Sequence, residues 1–363
     1  MTAPSILFLG LATYSRVGGL QNFNRRVIAN LGSLAQDGAV GRVAVHLMDD
    51  GISDVPSIPG VAFRAFGRDR LAMIRDTMTA ALRADVLLVG HVNLVPIAWI
   101  VRLLHRRIRT NLFVHGDEVW NDELRPRRFA EPWLLKSIDR IASVSAYTAR
   151  IMAKQYCVPL DRFTLFPNAI DDFTDPPART QRGRKILCVT RMGPGDHRKN
   201  VDQLLRAIAL LRDRGRPATL TIAGDGVLRG ELEVLATELD ISEQVQFAGR
   251  VSDEALANLY AQADAFALPS SKEGFGIVYL EAWAHGLPVL CGRQGAPHEI
   301  VEDHRDGRLA DEDDATDIAD KLDDLLTRDD ATTMGKRGLE KVRARYLNAN
   351  ARQNLHDLVT ASS

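Results

Sequence analysis

Short, uninterrupted apolar runs alternate along the chain with longer stretches in which apolar side chains recur every three or four residues. Residues 5–10 (SILFLG), 85–90 (DVLLVG), 110–114, 185–190 (KILCVT) and 265–268 are runs of the first kind, as strands buried on both faces require. Residues 42–48, 61–66, 141–145, 163–166, 218–223, 245–247 and 288–291 add further predicted strands. Between them the wider spacing predicts helices: one through Phe23, Val27, Ile28 and Leu31, then 71–82, 146–154, 201–212, 228–239 and 277–285. Strand and helix alternate almost throughout, which predicts an α/β architecture with parallel sheets. At 363 residues the chain exceeds one typical domain. Residues 172–184 (DFTDPPARTQRGR) are polar, proline-rich and aperiodic, and read as a linker between two domains.

Two strand-to-helix junctions carry glycines. Gly18-Gly19 precedes the first helix, and Gly274-Phe275-Gly276 precedes helix 277–285. Glycine lets an anion approach the main chain, and the unpaired N–H groups and positive dipole of a helix start attract it, so both junctions read as phosphate sites. The first does not have the GxGxxG spacing of a dinucleotide fingerprint. Glu273 and Glu281 flank the second with seven residues between them; one could reach a sugar ring and the other a ribose. Arg191, Arg198 and Lys199 lie in the loop after strand 185–190, and His115 follows strand 110–114. In open α/β sheets ligands gather at such strand ends. Asp117 and Glu118 are weaker candidates for an acceptor.

Set within SSKEGFGIVYLEAWAHGLPVL and followed by GAPHEIV, the glutamate pair resembles the E-x7-E signature of glycosyltransferase family 4, the retaining glycosyl transferases group 1 of GT-B fold. The resemblance covers nearly the whole chain and is densest over 186–301. SVSAYTARIM and Pro167-Asn168-Ala169-Ile170-Asp171 also match, with Ala169 replacing the glycine of the family's PNGID turn. It implies two Rossmann-like domains facing a central cleft: an acceptor-side domain over 1–171, linker 172–184, and a nucleotide-sugar domain over 185–345. It also implies that the last helix, 346–363 in a stretch that reads as helical over 338–361, returns to the first domain. By the same resemblance Glu273 contacts the transferred sugar, Glu281 holds the nucleotide ribose, and the amides of Gly274, Phe275 and Gly276 hold the diphosphate. Arg191 and Lys199 neutralise that diphosphate, Gly18 and Gly19 close over it, His115 stands near the reacting sugar, and the Val251 backbone reads the base. The implied reaction is transfer of a hexose, mannose or glucose, from a GDP- or UDP-sugar to a saccharide or polyprenyl-linked acceptor, in exopolysaccharide or cell-envelope glycan synthesis. No cofactor and no metal is expected, because no DxD motif ends a strand and the basic pair can take a cation's part. An inactive nucleotide-sugar-binding scaffold subunit and a sugar-nucleotide epimerase would share the fold; the joint presence of Gly18, Gly19, His115, Arg191, Lys199, Glu273 and Glu281 disfavours the first.

Charge adds one element. The net charge of −1 excludes a nucleic-acid polycation. It hides an excess of roughly five positive charges up to residue 180 and roughly six negative charges after it. Residues 93–109 (NLVPIAWIVRLLHRRIR) gather Arg102, Arg106, Arg107 and Arg109, and Arg125-Pro-Arg-Arg128 follows nearby. Two readings stand: a basic amphipathic helix resting on an anionic membrane, or a sheet-covering helix whose arginines complement its C-terminal dipole. The expected location is cytoplasmic, peripheral to the inner face of the membrane. Residues 1–10 lack a basic n-region and a cleavage site, and no apolar run is long enough to span a bilayer. Cys157, Cys188 and Cys291 are isolated, with no metal or disulfide spacing.

Overall fold

The structure is a computed structural model that describes residues 3–116, 129–176, 183–328 and 330–361. The chain forms two compact units, Met1–Asn168 with Asn348–Ser363, and Ala169–Leu347. The Arg125–Arg128 patch, Asp117 and Glu118 lie outside the described residues.

In the first unit seven parallel strands pair in the order β3-β2-β1-β4-β5-β6-β7. They are β1 (Ile6–Gly10), β2 (Val43–Leu47), β3 (Val61–Ala65), β4 (Val86–Val89), β5 (Arg109–Val114), β6 (Arg140–Ser143) and β7 (Phe163–Leu165). Every residue of β1 and β4 is buried, as a central parallel strand covered on both faces must be. The second unit repeats the plan with six parallel strands in the order β10-β9-β8-β11-β12-β13. These are β8 (Lys185–Val189), β9 (Thr219–Ala223), β10 (Val245–Gly249), β11 (Ala265–Leu268), β12 (Val289–Gly292) and β13 (Gly307–Ala310). Strand order reverses between β1 and β4 and again between β8 and β11, so each unit has one switch point where ligands bind in open α/β sheets. The loops after β1, β8 and β11, which hold most of the predicted site residues, emerge at these two points.

Three sequence expectations change in detail. The helical stretch 338–361 is two helices, Ala331–Arg345 and Asn348–Thr360, because the chain leaves the first to pair its backbone with Ile170, whose N–H donates to the Tyr346 carbonyl at 2.8 Å. The second helix packs on helix Gly19–Gln36, with Asn30 Nδ2 donating to Asn348 Oδ1 at 2.9 Å and Arg352 paired to Asp37. The basic stretch 93–109 is α-helical only over Val95–Leu104, after a 3-10 turn over Val92–Leu94, and Arg109 opens β5. There Arg109 donates to the carbonyl of Val359 at 2.7 Å and to that of Ala361, while Arg102 pairs in a fork with Asp139 at 2.9 Å. These two arginines are committed to the fold; Arg106 and Arg107 are exposed. Finally, β13 was not expected, since four residues containing a charged Arg308 carry little apolar signal.

Helix Ile277–Ala284 is seated by close contact with helix Ala331–Arg345. A Cβ at Gly338 would lie 2.0 Å from Trp283 Cδ1, and one at Gly335 would lie 2.0 Å from the Gly286 carbonyl oxygen. Trp283 is fully buried and donates its indole N–H to the Asp306 carbonyl at 3.0 Å, so it has no room to move. Alanine gains about 1 kcal/mol over glycine in a helix, but overpacking a rigid core costs about 1–3 kcal/mol. Gly338→Ala is therefore expected to lower the urea midpoint of unfolding; an unchanged or raised midpoint would mean that the two helices separate freely.

Candidate active site

In the second unit the site is built at the β8–β11 switch point from the loops after these two strands, tied to the loops after β12 and β13. The loop after β11 is fixed at its base by Ser270, fully buried, whose hydroxyl lies 3.2 Å from the carbonyl oxygens of Arg198 and Lys272. Ser271 N–H donates to the same Arg198 carbonyl at 2.9 Å, which ties this loop to the one after β8. Glu312, just after β13, joins the loops after β8 and β12: its buried carboxylate accepts from the Arg293 N–H at 2.9 Å and its carbonyl accepts from Asn200 Nδ2 at 2.9 Å. The result brings Lys199 Nζ to 2.5 Å from Glu273 Oε2. Lys199 is only 9% exposed, and a lysine buried to that degree needs a negative partner.

The chain then turns through Gly276 at φ 88°, a backbone geometry that favours glycine, and enters helix Ile277–Ala284. No side chain caps this helix start. The positive end of its dipole thus lies close to Glu273, the partner of the lysine. Phe275 is buried edge-on against Tyr346 (centroids 5.9 Å apart), which leaves only its backbone for a ligand. One turn into the helix, Glu281 Oε2 accepts a hydrogen bond from Tyr260 at 2.9 Å. Burial drives the Tyr260 phenol well above 10, so it keeps the proton it donates. His285 stacks on the Tyr260 ring at 5.0 Å, and its Nδ1 lies 2.9 Å from the Glu281 carbonyl oxygen. Tyr260 was missed from sequence, where it is one more apolar position in a short helix. Arg191, its side chain 67% exposed, pairs with Asp196 at 3.4 Å. Val251 follows β10, half-buried, just ahead of the Ser252 cap of helix Asp253–Gln262. Among the described residues no cluster of three or more His, Cys, Asp or Glu side chains is arranged to hold a metal.

In the first unit Gly18 and Gly19 begin helix Gly19–Gln36, again without a side-chain cap. The fold itself asks little of either glycine. Gly18 is extended, and a Cβ there would press only on the far end of the flexible Gln21 side chain; a Cβ at Gly19 would meet nothing within 4 Å. His115 follows β5, edge-on to Phe23 with centroids 4.4 Å apart. Loss of solvation pushes its pKa down to about 4, so the imidazole is neutral at pH 7 and can donate one hydrogen bond and accept one.

Residues 172–341 match the family model described as glycosyl transferases group 1, and residues 26–172 match that of glycosyltransferase family 4. The chain belongs to this GT-B glycosyltransferase family. It is 32% identical over 251 residues to a GDP-mannose-dependent alpha-(1-6)-phosphatidylinositol monomannoside mannosyltransferase of Mycobacterium tuberculosis, a match covering 64% of each chain. It is 32% identical over 261 residues to a D-inositol 3-phosphate glycosyltransferase of Nocardia farcinica, covering 66% of this chain and 57% of that one. The chain thus spans less than two thirds of the length of these relatives. Among solved structures, Anabaena HepE with UDP and glucose superposes with a TM-score of 0.75 at 18% identity, covering 98% of this chain and 99% of that one. Sucrose-phosphate synthase of Thermosynechococcus elongatus does so with a TM-score of 0.77 at 19% identity, covering 98% of each. At that identity the structural likeness speaks for the fold.

His115 and His46 share one pH consequence. His46 is buried beside Thr77, and desolvation lowers its pKa to about 4 as well. Both imidazoles ionise near 6.5 when unfolded, so the stability they lend by staying neutral is complete above about pH 6.5 and is lost as pH falls toward 4. The urea midpoint should decline between pH 6.5 and 5, and His46→Asn should flatten that decline; an unchanged slope would contradict it.

Proposed function

We propose that this protein is a retaining glycosyltransferase that moves a hexose from a nucleoside-diphosphate sugar to a saccharide or lipid-linked saccharide, without a metal. One observation carries the reading: a buried lysine held 2.5 Å from a carboxylate, beside an uncapped helix start, with a second carboxylate one turn further on. A diphosphate needs a fixed cation and free amides; a sugar and a ribose each need a hydrogen-bond acceptor. Lys199 and Arg191 take the charge that grows on the diphosphate as the C1–O bond breaks. The amides of Gly274, Phe275 and Gly276 share it, and those at Gly18 and Gly19 offer the other unit's phosphate-binding start. Glu273 accepts from the transferred sugar, and Glu281, oriented by Tyr260, from the ribose. His115 serves a hydroxyl or phosphate oxygen of the donor, and the Val251 backbone meets the base. The electron pair leaves with the phosphate oxygen, the acceptor hydroxyl attacks the oxocarbenium-like sugar from the same face, and its proton passes to the departing oxygen.

The mannosyltransferase relatives favour GDP-mannose as donor, while HepE, solved with UDP, keeps UDP-glucose in the comparison. Relatives named for phosphatidylinositol and inositol-phosphate acceptors support an acceptor of cell-envelope type. The exposed Arg106 and Arg107 lie close in sequence to Leu104, 66% exposed, in a helix whose Trp99 meets Trp133, 53% exposed, at 4.9 Å. Cations beside exposed aromatic and aliphatic side chains suit the headgroup boundary of an anionic membrane. Among the described residues no helix is long and apolar enough to cross one.

A thermal-shift screen with GDP, UDP, GDP-mannose and UDP-glucose in EDTA should show stabilisation by one nucleotide family. Lys199→Ala should then lower turnover of that donor about a hundredfold; no stabilisation by any of the four, or near-normal turnover of the variant, would overturn the reading. Changing Arg106 and Arg107 together to Glu should reduce co-sedimentation with phosphatidylglycerol vesicles, and equal sedimentation of variant and parent would remove the membrane from the proposal.

A further inference from the structure

The loop between β1 and helix Gly19–Gln36 has little regular backbone pairing of its own, yet its main chain is held from both sides by charged groups. Asp50, just beyond β2, is fully buried. Its Oδ2 accepts from the Thr13 N–H at 2.8 Å, and its Oδ1 accepts from the Tyr14 and Ser15 N–H groups at 2.7 Å each. From the opposite side Arg25, on the second turn of the helix, donates Nε to the Thr13 carbonyl at 2.8 Å and Nη2 to the carbonyls of Tyr14 at 3.3 Å and Arg16 at 2.6 Å. Its guanidinium also covers the Tyr14 ring at 5.6 Å. Three successive N–H groups thus end on one carboxylate, and three carbonyls of the same segment end on one guanidinium.

Neither interaction is expected of an ordinary surface turn, which water would satisfy. A buried carboxylate is costly unless it is fully hydrogen-bonded, and here the loop backbone supplies the bonds. Asp50 is itself anchored, since its carbonyl accepts from the Gly67 N–H at 2.9 Å beyond β3. The clasp therefore references the loop to the sheet through Asp50 and to the helix through Arg25. Its far end is Gly18-Gly19, exposed or half-exposed and uncapped.

We propose that Asp50 and Arg25 are positioning residues for donor binding: they hold residues 13–16 in the one backbone shape that presents the first amides of helix Gly19–Gln36 to a nucleoside diphosphate. This rests on the reading of Gly18-Gly19 as a phosphate-facing start. The clasp spends two charges on the loop backbone itself, so the loop meets the ligand with main-chain amides. The second unit's candidate phosphate loop does the reverse and carries a side-chain cation, Lys199.

Asp50→Asn keeps the shape of the side chain but turns one oxygen into a donor that faces the N–H groups, so at least one bond of the three is lost. Two measurements on the full chain test the proposal. Hydrogen exchange over residues 11–19 should accelerate in Asp50→Asn, with the strands unaffected. Calorimetric titration with GDP-mannose and UDP-glucose should show the parent's preferred donor binding about tenfold more weakly, the value of one charge-assisted bond, while the turnover of bound donor by hydrolysis changes less than its affinity. Arg25→Gln should behave alike and Arg25→Lys should restore part of the affinity; these variants decide the matter should Asp50→Asn not fold. Gly19→Ala separates the two levels of the argument, since it leaves the clasp intact and adds a methyl group where the phosphate would sit. Weakened binding in Gly19→Ala beside normal binding in Asp50→Asn and Arg25→Gln overturns the clasp alone. Normal binding in all three overturns the phosphate reading of the loop, and the clasp's role with it.

Discussion

A lysine that is almost wholly buried has to be neutralised, and in this protein that requirement organises the second unit. Lys199 meets Glu273 at 2.5 Å, and the loops around the pair, which follow four different strands, are tied to one another. Ser270 and Ser271 bind the Arg198 carbonyl, Glu312 binds the backbone at Arg293, and Asn200 reaches back to Glu312. If one of these ties loosened, the ion pair would either open to water or leave a charge stranded, and a stranded buried charge costs several kcal/mol. The pair is thus both the reason for the loop network and its product. On the proposed reading, an incoming diphosphate gives Lys199 a second anion to serve.

The two candidate phosphate loops are held by different means. Both place a loop and an uncapped helix start at a reversal of strand order. The second unit brings side-chain cations to the loop. The first unit uses a cation, Arg25, on the loop's own carbonyls. Anion recognition by main-chain amides is short-ranged and depends on direction, so it demands a rigid backbone; recognition by lysine tolerates more movement because the charge sits on a flexible stem.

Much of this was legible in the chain. Buried strands such as β1, β4 and β8 announce themselves as unbroken apolar runs, and the alternation with helices specifies parallel sheets. The glycine junctions and the Glu273–Glu281 spacing are local in sequence, so their grammar can be read without a structure. What escaped depends on partners far apart in the chain. Nothing local distinguishes Tyr260, whose hydroxyl finds Glu281, from a core tyrosine. Asp50 looks like a loop aspartate until β1 and β2 are laid side by side. Arg109 looked like a charge at the end of a helix, but Thr110 and the residues after it pull it into β5, where it serves the carbonyls of the last helix. In β13, Arg308 is buried against Asp303 and Asp324, so an ion pair rather than an apolar run marks that strand.

The first unit is discontinuous: its last helix, Asn348–Thr360, is encoded after the whole of the second unit. That helix buries Leu355, Leu358 and Val359 and packs on helix Gly19–Gln36. On the ribosome, therefore, the amino-terminal sheet can form long before its covering helix has been made. Until residues 348–360 have emerged, an apolar strip on helix Gly19–Gln36 stays open to solvent, and the second unit can finish folding before the first. The element that begins with Gly18-Gly19 gains its full support only once helix Asn348–Thr360 has been made, so a chain cut short before that helix would carry a complete set of catalytic candidates on an incompletely braced helix.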